Sequence, residues 1–231
     1  KLEAQKPNTE KKKMDFDDAE RLPFEVQEYR QLTRCVPGIE SLYVMLRAVL
    51  EAKGAEKVLV VGCGGGAEIE ALGDAFEIVG VDPSAEMLAM AKTFATPRTT
   101  LLRGTVDDVP ASGFDAATSV LVMHFLRDKG AYLDAIRSRL KRGGLFVLVD
   151  VCFGADASEL DAGGLQKAAF LRHAGLLGLN LPHVADAIKH IPTMPLLSDA
   201  ETTKLLAAHG FTLLFPFFRG LWYAGWVAAA V

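Results

Sequence analysis

The stretch Lys57-Val-Leu-Val-Val-Gly-Cys-Gly-Gly-Gly66 constrains this chain more than any other. A run of β-branched and aliphatic residues is what a strand buried on both faces needs. The run ends in glycines, a helix-like segment follows, and a second apolar run, Phe76-Glu-Ile-Val-Gly-Val81, ends on an acid, Asp82. Strand, glycine turn, helix, strand and acid make the sequence form of a nucleoside-binding βαβ unit. Gly62 and Gly64 permit a tight turn and close backbone approach to a ligand. An acid in the place of Asp82 can accept hydrogen bonds from both hydroxyls of a ribose. Four glycines among residues 62–66 suggest a turn built for a ligand, with no gain in packing.

The rest of the chain repeats the alternation. Strands are expected over 58–61, 76–81, 100–102, 114–120 and 145–151. Helices are expected over 67–75, 84–94 and 129–140, with a short turn near Phe125. Such alternation implies right-handed crossovers and a parallel sheet covered by helices on both faces. Ser84 reads as an N-cap, and Gly143-Gly144 as the stop before the fifth strand. Upstream, residues 21–53 read as two helical pieces broken at Pro37-Gly38, the second with an apolar face from Ile39 to Leu50. Downstream, 155–198 is helical and apolar, too long for a simple connection, and reads as an inserted cap. A helix over 199–209 and two strands, 211–217 and 222–229, joined at Arg219-Gly220, close the chain. The expected divisions are therefore a disordered lead over 1–13, a helical segment over 14–54, and one α/β domain over 55–231 that carries the cap.

Composition narrows the classes. The 231 residues are 50% hydrophobic, so they can build a full core. The net charge is −4, and residues 1–13, with five lysines and two glutamates, hold +3 of it, leaving −7 on the remainder. That sign disfavours nucleic acid as a partner. No apolar run is long enough to span a bilayer. Cys35, Cys63 and Cys152 are odd in number and far apart, which fits a reducing cytoplasm, no disulfide framework and no metal site.

Gly62-x-Gly64-x-x-Ala67 with Asp82 also fits the dinucleotide fingerprint, so this stretch alone leaves NAD open. Later motifs add information: Asp82-Pro-Ser-Ala-Glu-Met-Leu, Phe114-Asp-Ala-Ala-Thr-Ser-Val-Leu-Val-Met-His-Phe-Leu126, Leu140-Lys-Arg-Gly-Gly-Leu-Phe-Val-Leu-Val-Asp150, and a closing hairpin in place of a second mononucleotide half. Together they resemble the class I S-adenosylmethionine-dependent methyltransferases, strongly over about 55–150. The resemblance implies a Rossmann-like seven-stranded sheet, parallel except for its last strand, with S-adenosyl-L-methionine as cofactor. It implies that Gly62, Cys63 and Gly64 pass under the methionine part, that Asp82 binds the ribose, and that Pro83 and Met87 lie against the adenine. It implies that Thr105 and Val106 belong to the adenine-contacting loop, and that Ser119 and Val120 lie under the methionine moiety. Two departures stand out: the family usually has an acid at the position of Val60, which helps hold the cofactor's amino group, and an aspartate at the position of Thr105.

Methyl transfer from a sulfonium needs alignment and exclusion of water, and a base only where the acceptor must lose a proton. His124, just after the fourth strand, is the candidate catalytic base, with Asp150 as a second. Tyr29, Phe153, Phe170 and Trp222 are candidates for an acceptor pocket. His173, His183 and His190 lie too far apart in sequence to suggest metal ligands. Arg34-Cys-Val-Pro-Gly38, Leu121–Leu126 and Phe218–Trp226 also look like the carboxy-SAM synthase group of tRNA modification. That group's tyrosine falls on Ile39 and its asparagine on Val120, and no arginine lies between His173 and Phe218 to bind the extra carboxylate. The expectation is a cytoplasmic methyltransferase acting on a small-molecule acceptor. A carboxy-SAM synthase-like enzyme and a cofactor-binding regulatory subunit are the alternatives, and the apolar terminal strands allow a homodimer.

Overall fold

The computed structural model describes residues 26–152, 164–179, 184–185, 188–189 and 194–231. The lead expected over 1–13 and much of the expected cap, with Phe153, His183 and His190, lie outside the described residues. Two helices, α1 (Val26–Arg34) and α2 (Ile39–Lys53), precede the sheet. Strands β1 (Lys57–Val61), β2 (Glu77–Asp82) and β3 (Thr99–Arg103) then alternate with α3 (Ala67–Leu72) and α4 (Ala85–Ala91). After β4 (Phe114–Val120) come α5 (Lys129–Arg139) and β5 (Leu140–Val151). Helices α6 (Gly164–Leu176) and α7 (Asp199–Ala208) lead to β6 (Phe211–Gly220) and β7 (Tyr223–Ala230).

The seven strands form one sheet in the order β3-β2-β1-β4-β5-β7-β6. The pairs among β1 to β5 are parallel, whereas β7 runs antiparallel to both β5 and β6. This is the Rossmann-like arrangement that the resemblance implies, and its parallel part is the one expected from the alternating motifs. The direction of strand addition reverses between β1 and β4. At such a switch point the turns leaving adjacent strands diverge, and a crevice opens at the carboxyl ends.

Strand β1 shows why an unbroken apolar run was needed. Val58 and Val60 pack with Leu46 and Leu50 of α2 and Leu72 of α3. Leu59 and Val61 point to the other face, with Leu133 and Ile136 of α5. Alternate residues thus feed two separate cores, and polar residues are tolerated on neither side. Leu42, Leu46 and Leu50 of α2 are fully buried, so truncating any one to alanine removes about 2–5 kcal/mol.

Several boundaries differ from the sequence reading for local reasons. Helix α3 stops at Leu72 rather than residue 75, because Gly73 caps it with φ 61° and a different chain direction. The α-helix expected to reach residue 94 ends at Ala91 and tightens into a 3₁₀ turn over Lys92–Phe94. Gly143-Gly144 does not stop α5. Leu140 is already extended and pairs with Phe114, and the two glycines sit inside a bulge before pairing resumes at Ala116 and Leu145. The hairpin turns at Leu221-Trp222, beyond Arg219-Gly220, and Leu221 takes φ 53°. Buried Trp222 holds that turn in place by packing on Phe170 of α6, with ring centroids 5.0 Å apart.

The Ser84 cap falls where expected, and a second cap stands at Ser198. Ser84 Oγ accepts the Met87 N–H, and Ser198 and Glu201 form a reciprocal capping box at the start of α7. Cys35, Cys63 and Cys152 are all buried free thiols.

Candidate functional site

Two clefts meet at Gly62, where β1 ends. One lies between the turns after β1 to β4 and is lined by Val61, Pro83, Thr105, Val106, Val122 and Leu126. The other is covered by α1 and α2 and is lined by Tyr29, Arg30, Tyr43, Glu68, Met87 and Val120, among others. Both contain Gly62, and Gly64 and Cys63 belong to the second.

The glycine turn is also a packing device, which corrects the reading that its glycines bring no packing gain. Gly62 has φ 67°, and a Cβ there would lie 2.4 Å from Val122 Cγ2. Gly66 has φ 87°, and a Cβ there would lie 2.7 Å from the Ala91 backbone. At these two positions glycine is required both for backbone angle and for space. The turn is pinned to the next strand by N–H bonds from Gly62 and Cys63 to the Val81 carbonyl, at 2.8 and 3.0 Å.

Asp82 closes the same turn from the other side. Its two carboxylate oxygens accept the Gly64 and Ser84 N–H groups, each at 2.9 Å. Burial raises its carboxyl above the ordinary range, and these two hydrogen bonds pull the other way. Each oxygen has further lone-pair capacity, so a fixed carboxylate stands ready at the end of β2. The loop after β3 is folded by a second carboxylate. Asp108 accepts the Thr105 N–H at 2.7 Å, and Thr105 caps the turn carrying buried Val106.

One buried acid that the sequence reading did not single out lines the second cleft. Glu68, in the first turn of α3, is only 4% exposed and lines the second cleft. Beside it stands Thr118 of β4, the cross-strand partner of Val60. Burial pushes the Glu68 carboxyl up to about 8, with Thr118 pulling the other way. Glu68 Oε1 and Thr118 Oγ1 are nevertheless both buried without a hydrogen-bond partner. The available signal was spacing. Glu68 lies four residues before buried Leu72 and next to buried Ile69, on the inward face of a helix.

His124 sits in a 3₁₀ turn, Met123–Phe125, just after β4, and is buried. Its Nδ1 is paired with Asp150 Oδ1 on β5. Asp150 also accepts the Val151 N–H at 2.8 Å, while its Oδ2 has no partner. With Asp150 as a carboxylate, which can only accept, Nδ1 is the donor of the pair and Nε2 is the nitrogen left open to accept a proton. The two base candidates of the sequence are thus one pair, and neither belongs to the lining of either cleft. Tyr29 links the parts. Burial raises its phenol, and the nearby Asp82, Asp150, Tyr223 and Glu68 carry it further in the same direction, so it stays neutral.

Some expected residues fall elsewhere. Pro83 lines the cleft with Thr105 and Val106, but Met87 lines the other one. Ser119 is fully buried and bonds the Tyr132 hydroxyl at 2.8 Å, behind the lining rather than in it; Val120 does line the second cleft. Phe170 and Trp222 pack on each other, and His173 is on α6, away from both linings. Among the described residues, no group of His, Cys, Asp and Glu could hold a metal ion. No described helix is long and apolar enough to cross a membrane.

Comparison with known proteins matches residues 59–148 to the family described as "Methyltransferase domain". A tRNA U34 carboxymethyltransferase of Dichelobacter nodosus is 36% identical over 111 residues, which cover 46% of this chain and 36% of that protein. The chain therefore spans about a third of that curated relative's length. Among solved structures, a magnesium protoporphyrin IX methyltransferase of Synechocystis PCC 6803 with bound S-adenosylhomocysteine superimposes with a TM-score of 0.65. It is 15% identical, with 89% of this chain and 94% of that one covered. A S-adenosylmethionine-dependent methyltransferase of Thermotoga maritima gives 0.56 at 18% identity, covering 89% and 96%. At these identities the structural matches establish a shared fold.

Proposed function

We propose, from the premise that residues 59–148 make this a class I S-adenosylmethionine-dependent methyltransferase, that the chain methylates a small molecule held beneath α1. One observation carries the reading: α1, bearing Tyr29, Arg30 and Thr33, covers the cleft that would take the cofactor's amino-acid end, so an acceptor has to reach the methyl group beside that end under the same cover. Such a cover suits an acceptor small enough to be enclosed. The acidic balance of the chain agrees, since it does not attract a polyphosphate.

The residues fit the cofactor. An apolar compartment between Pro83, Val106 and Val122 suits a purine, and Asp82, the residue before Pro83 and bonded to the Gly64 N–H, suits a ribose. The unpartnered polar atoms of Glu68 and Thr118 mark the other compartment as made for a polar group. Bound there, S-adenosylmethionine supplies a methyl group already activated on a sulfonium. The protein then has to hold, align and exclude water. Asp82 receives the ribose hydroxyls while keeping the Gly64 turn closed. Pro83, Thr105 and Val106 would line the place of the base. Asp150 would fix the His124 ring, and for an acceptor that reaches this pair His124 Nε2 would take the hydroxyl or amine proton.

The similarity to the Dichelobacter nodosus protein favours one second reading, in which the acceptor is a tRNA nucleoside. Incubation with S-adenosylmethionine and a panel of phenols, catechols and amines, against total tRNA, separates the two. The proposal expects S-adenosylhomocysteine to accumulate with members of the small-molecule panel. Methyl or carboxymethyl incorporation confined to tRNA, or a product heavier than S-adenosylmethionine when prephenate is supplied, would overturn it.

A further inference from the structure

Glu68 presents a problem that its own protein does not solve. A carboxyl that is 4% exposed needs hydrogen-bond donors or a cation to remain buried at low cost. Thr118 is the only side chain that eases its ionisation, and no lysine or arginine among the described residues does so. Arg30, in the same cleft, is engaged with Glu70 at 3.3 Å and lies over the Phe94 ring at 4.7 Å. Glu68 lines a cleft, and one of its carboxyl oxygens has no partner among the described residues. Its neighbours there are Gly62, Cys63 and Gly64, at the end of β1 and opposite the nucleoside side of the turn. Val60, the strand residue nearest this point, is buried and apolar and offers no charge.

We infer that Glu68, with Thr118 beside it, is the anchor for the α-ammonium group of the cofactor's amino-acid end, in a site whose β1 strand carries no acid. This rests on the S-adenosylmethionine reading of the cleft. The role belongs to a helix rather than a strand, which brings the carboxylate in from the α3 side of the turn. The ligand ammonium supplies what the apo-protein lacks: a cation and several N–H donors for the Oε1 and Oγ1 atoms that are otherwise unpartnered.

Two titrations test this with no activity measurement. The first compares S-adenosylhomocysteine with 5′-methylthioadenosine, which keeps the nucleoside and loses the amino-acid end. Glu68→Gln should weaken S-adenosylhomocysteine by about 10–100-fold, the usual range for a hydrogen bond to a charged group, and leave 5′-methylthioadenosine within about twofold. Retained 5′-methylthioadenosine binding also reports that the variant is folded. The second uses the unaltered protein at pH 6.5 in buffers of different ionisation enthalpy. An apo carboxyl raised to about 8 is protonated there, so ammonium binding should release close to one proton with S-adenosylhomocysteine and none with 5′-methylthioadenosine. Unchanged S-adenosylhomocysteine affinity in Glu68→Gln, or no proton release, would overturn the inference alone. A wild-type protein that binds neither compound would overturn the cofactor reading as well.

Discussion

At the scale of single residues, the site is defined by three buried carboxyls with different partners. Asp82 is tied to two backbone N–H groups, Asp150 to His124, and Glu68 Oε1 to nothing among the described residues. The unpartnered group leaves a signature in the apo-protein. Its carboxyl is held at about 8 in the fold against an ordinary 4.5, so the folded chain binds the extra proton. Stability is therefore full below about pH 4.5 and falls as pH rises toward 8. Denaturant unfolding between pH 5 and 8 should show this slope, and Glu68→Gln should flatten it; a parallel slope in the variant would assign the effect to other groups. The His124–Asp150 pair makes a separate prediction. His124→Asn should lower kcat by about 10²–10⁴-fold while cofactor affinity stays unchanged, and Asp150→Asn should lower kcat and alter its pH profile. If melting temperature falls in both variants but kcat does not, the pair is a structural device.

At the scale of elements, the turn after β1 carries the greatest demand. Gly62→Ala would place a Cβ 2.4 Å from Val122 at a φ of 67°, so Val122 and the turn must both move. Calorimetry should show cofactor binding reduced more than stability, because the displaced backbone borders both clefts. By contrast, Ser198→Ala at the start of α7 should cost about 1 kcal/mol and leave binding intact, since the capping box lies away from the clefts. Strand and helix order was legible because each element carries its own short-range signal: Val58–Val61 apolar and unbroken, Ser84 a true cap, Phe114–Val120 reproduced residue for residue. The misplaced ends came from tertiary choices. Leu140 pairs with Phe114 before the glycines that looked like a stop, and Trp222 draws the hairpin turn past Arg219-Gly220 by packing on Phe170. The lining of the candidate clefts was legible where residues border glycines or strand ends, as at Gly62, Pro83 and Thr105. It was not legible at Glu68, whose importance depends on a partner, Thr118, fifty residues on and one strand away.

At the scale of the whole molecule, the sheet order brings these pieces together. The crossover from β3 to β4 puts the β1 and β4 turns side by side, so Gly62 meets Val122 and the two clefts meet at one residue. The helices α1 and α2 then cover the second cleft, which the sheet alone would leave open. A ligand that fills both compartments should stabilise the fold, by about 2.7 kcal/mol at a hundred times its Kd, and melting temperature should rise with S-adenosylhomocysteine concentration. The glycine turn by itself was equally compatible with a dinucleotide, and the methyltransferase domain over 59–148 decides between them. The central claim is that this paired cleft holds an S-adenosyl nucleoside. Its most direct test is isothermal titration of the full chain with S-adenosylhomocysteine and, separately, with NAD. The account predicts saturable one-to-one binding of S-adenosylhomocysteine that is lost in Asp82→Ala, with no heat from NAD. Binding of NAD in place of S-adenosylhomocysteine, or S-adenosylhomocysteine affinity unaltered by Asp82→Ala, would contradict it.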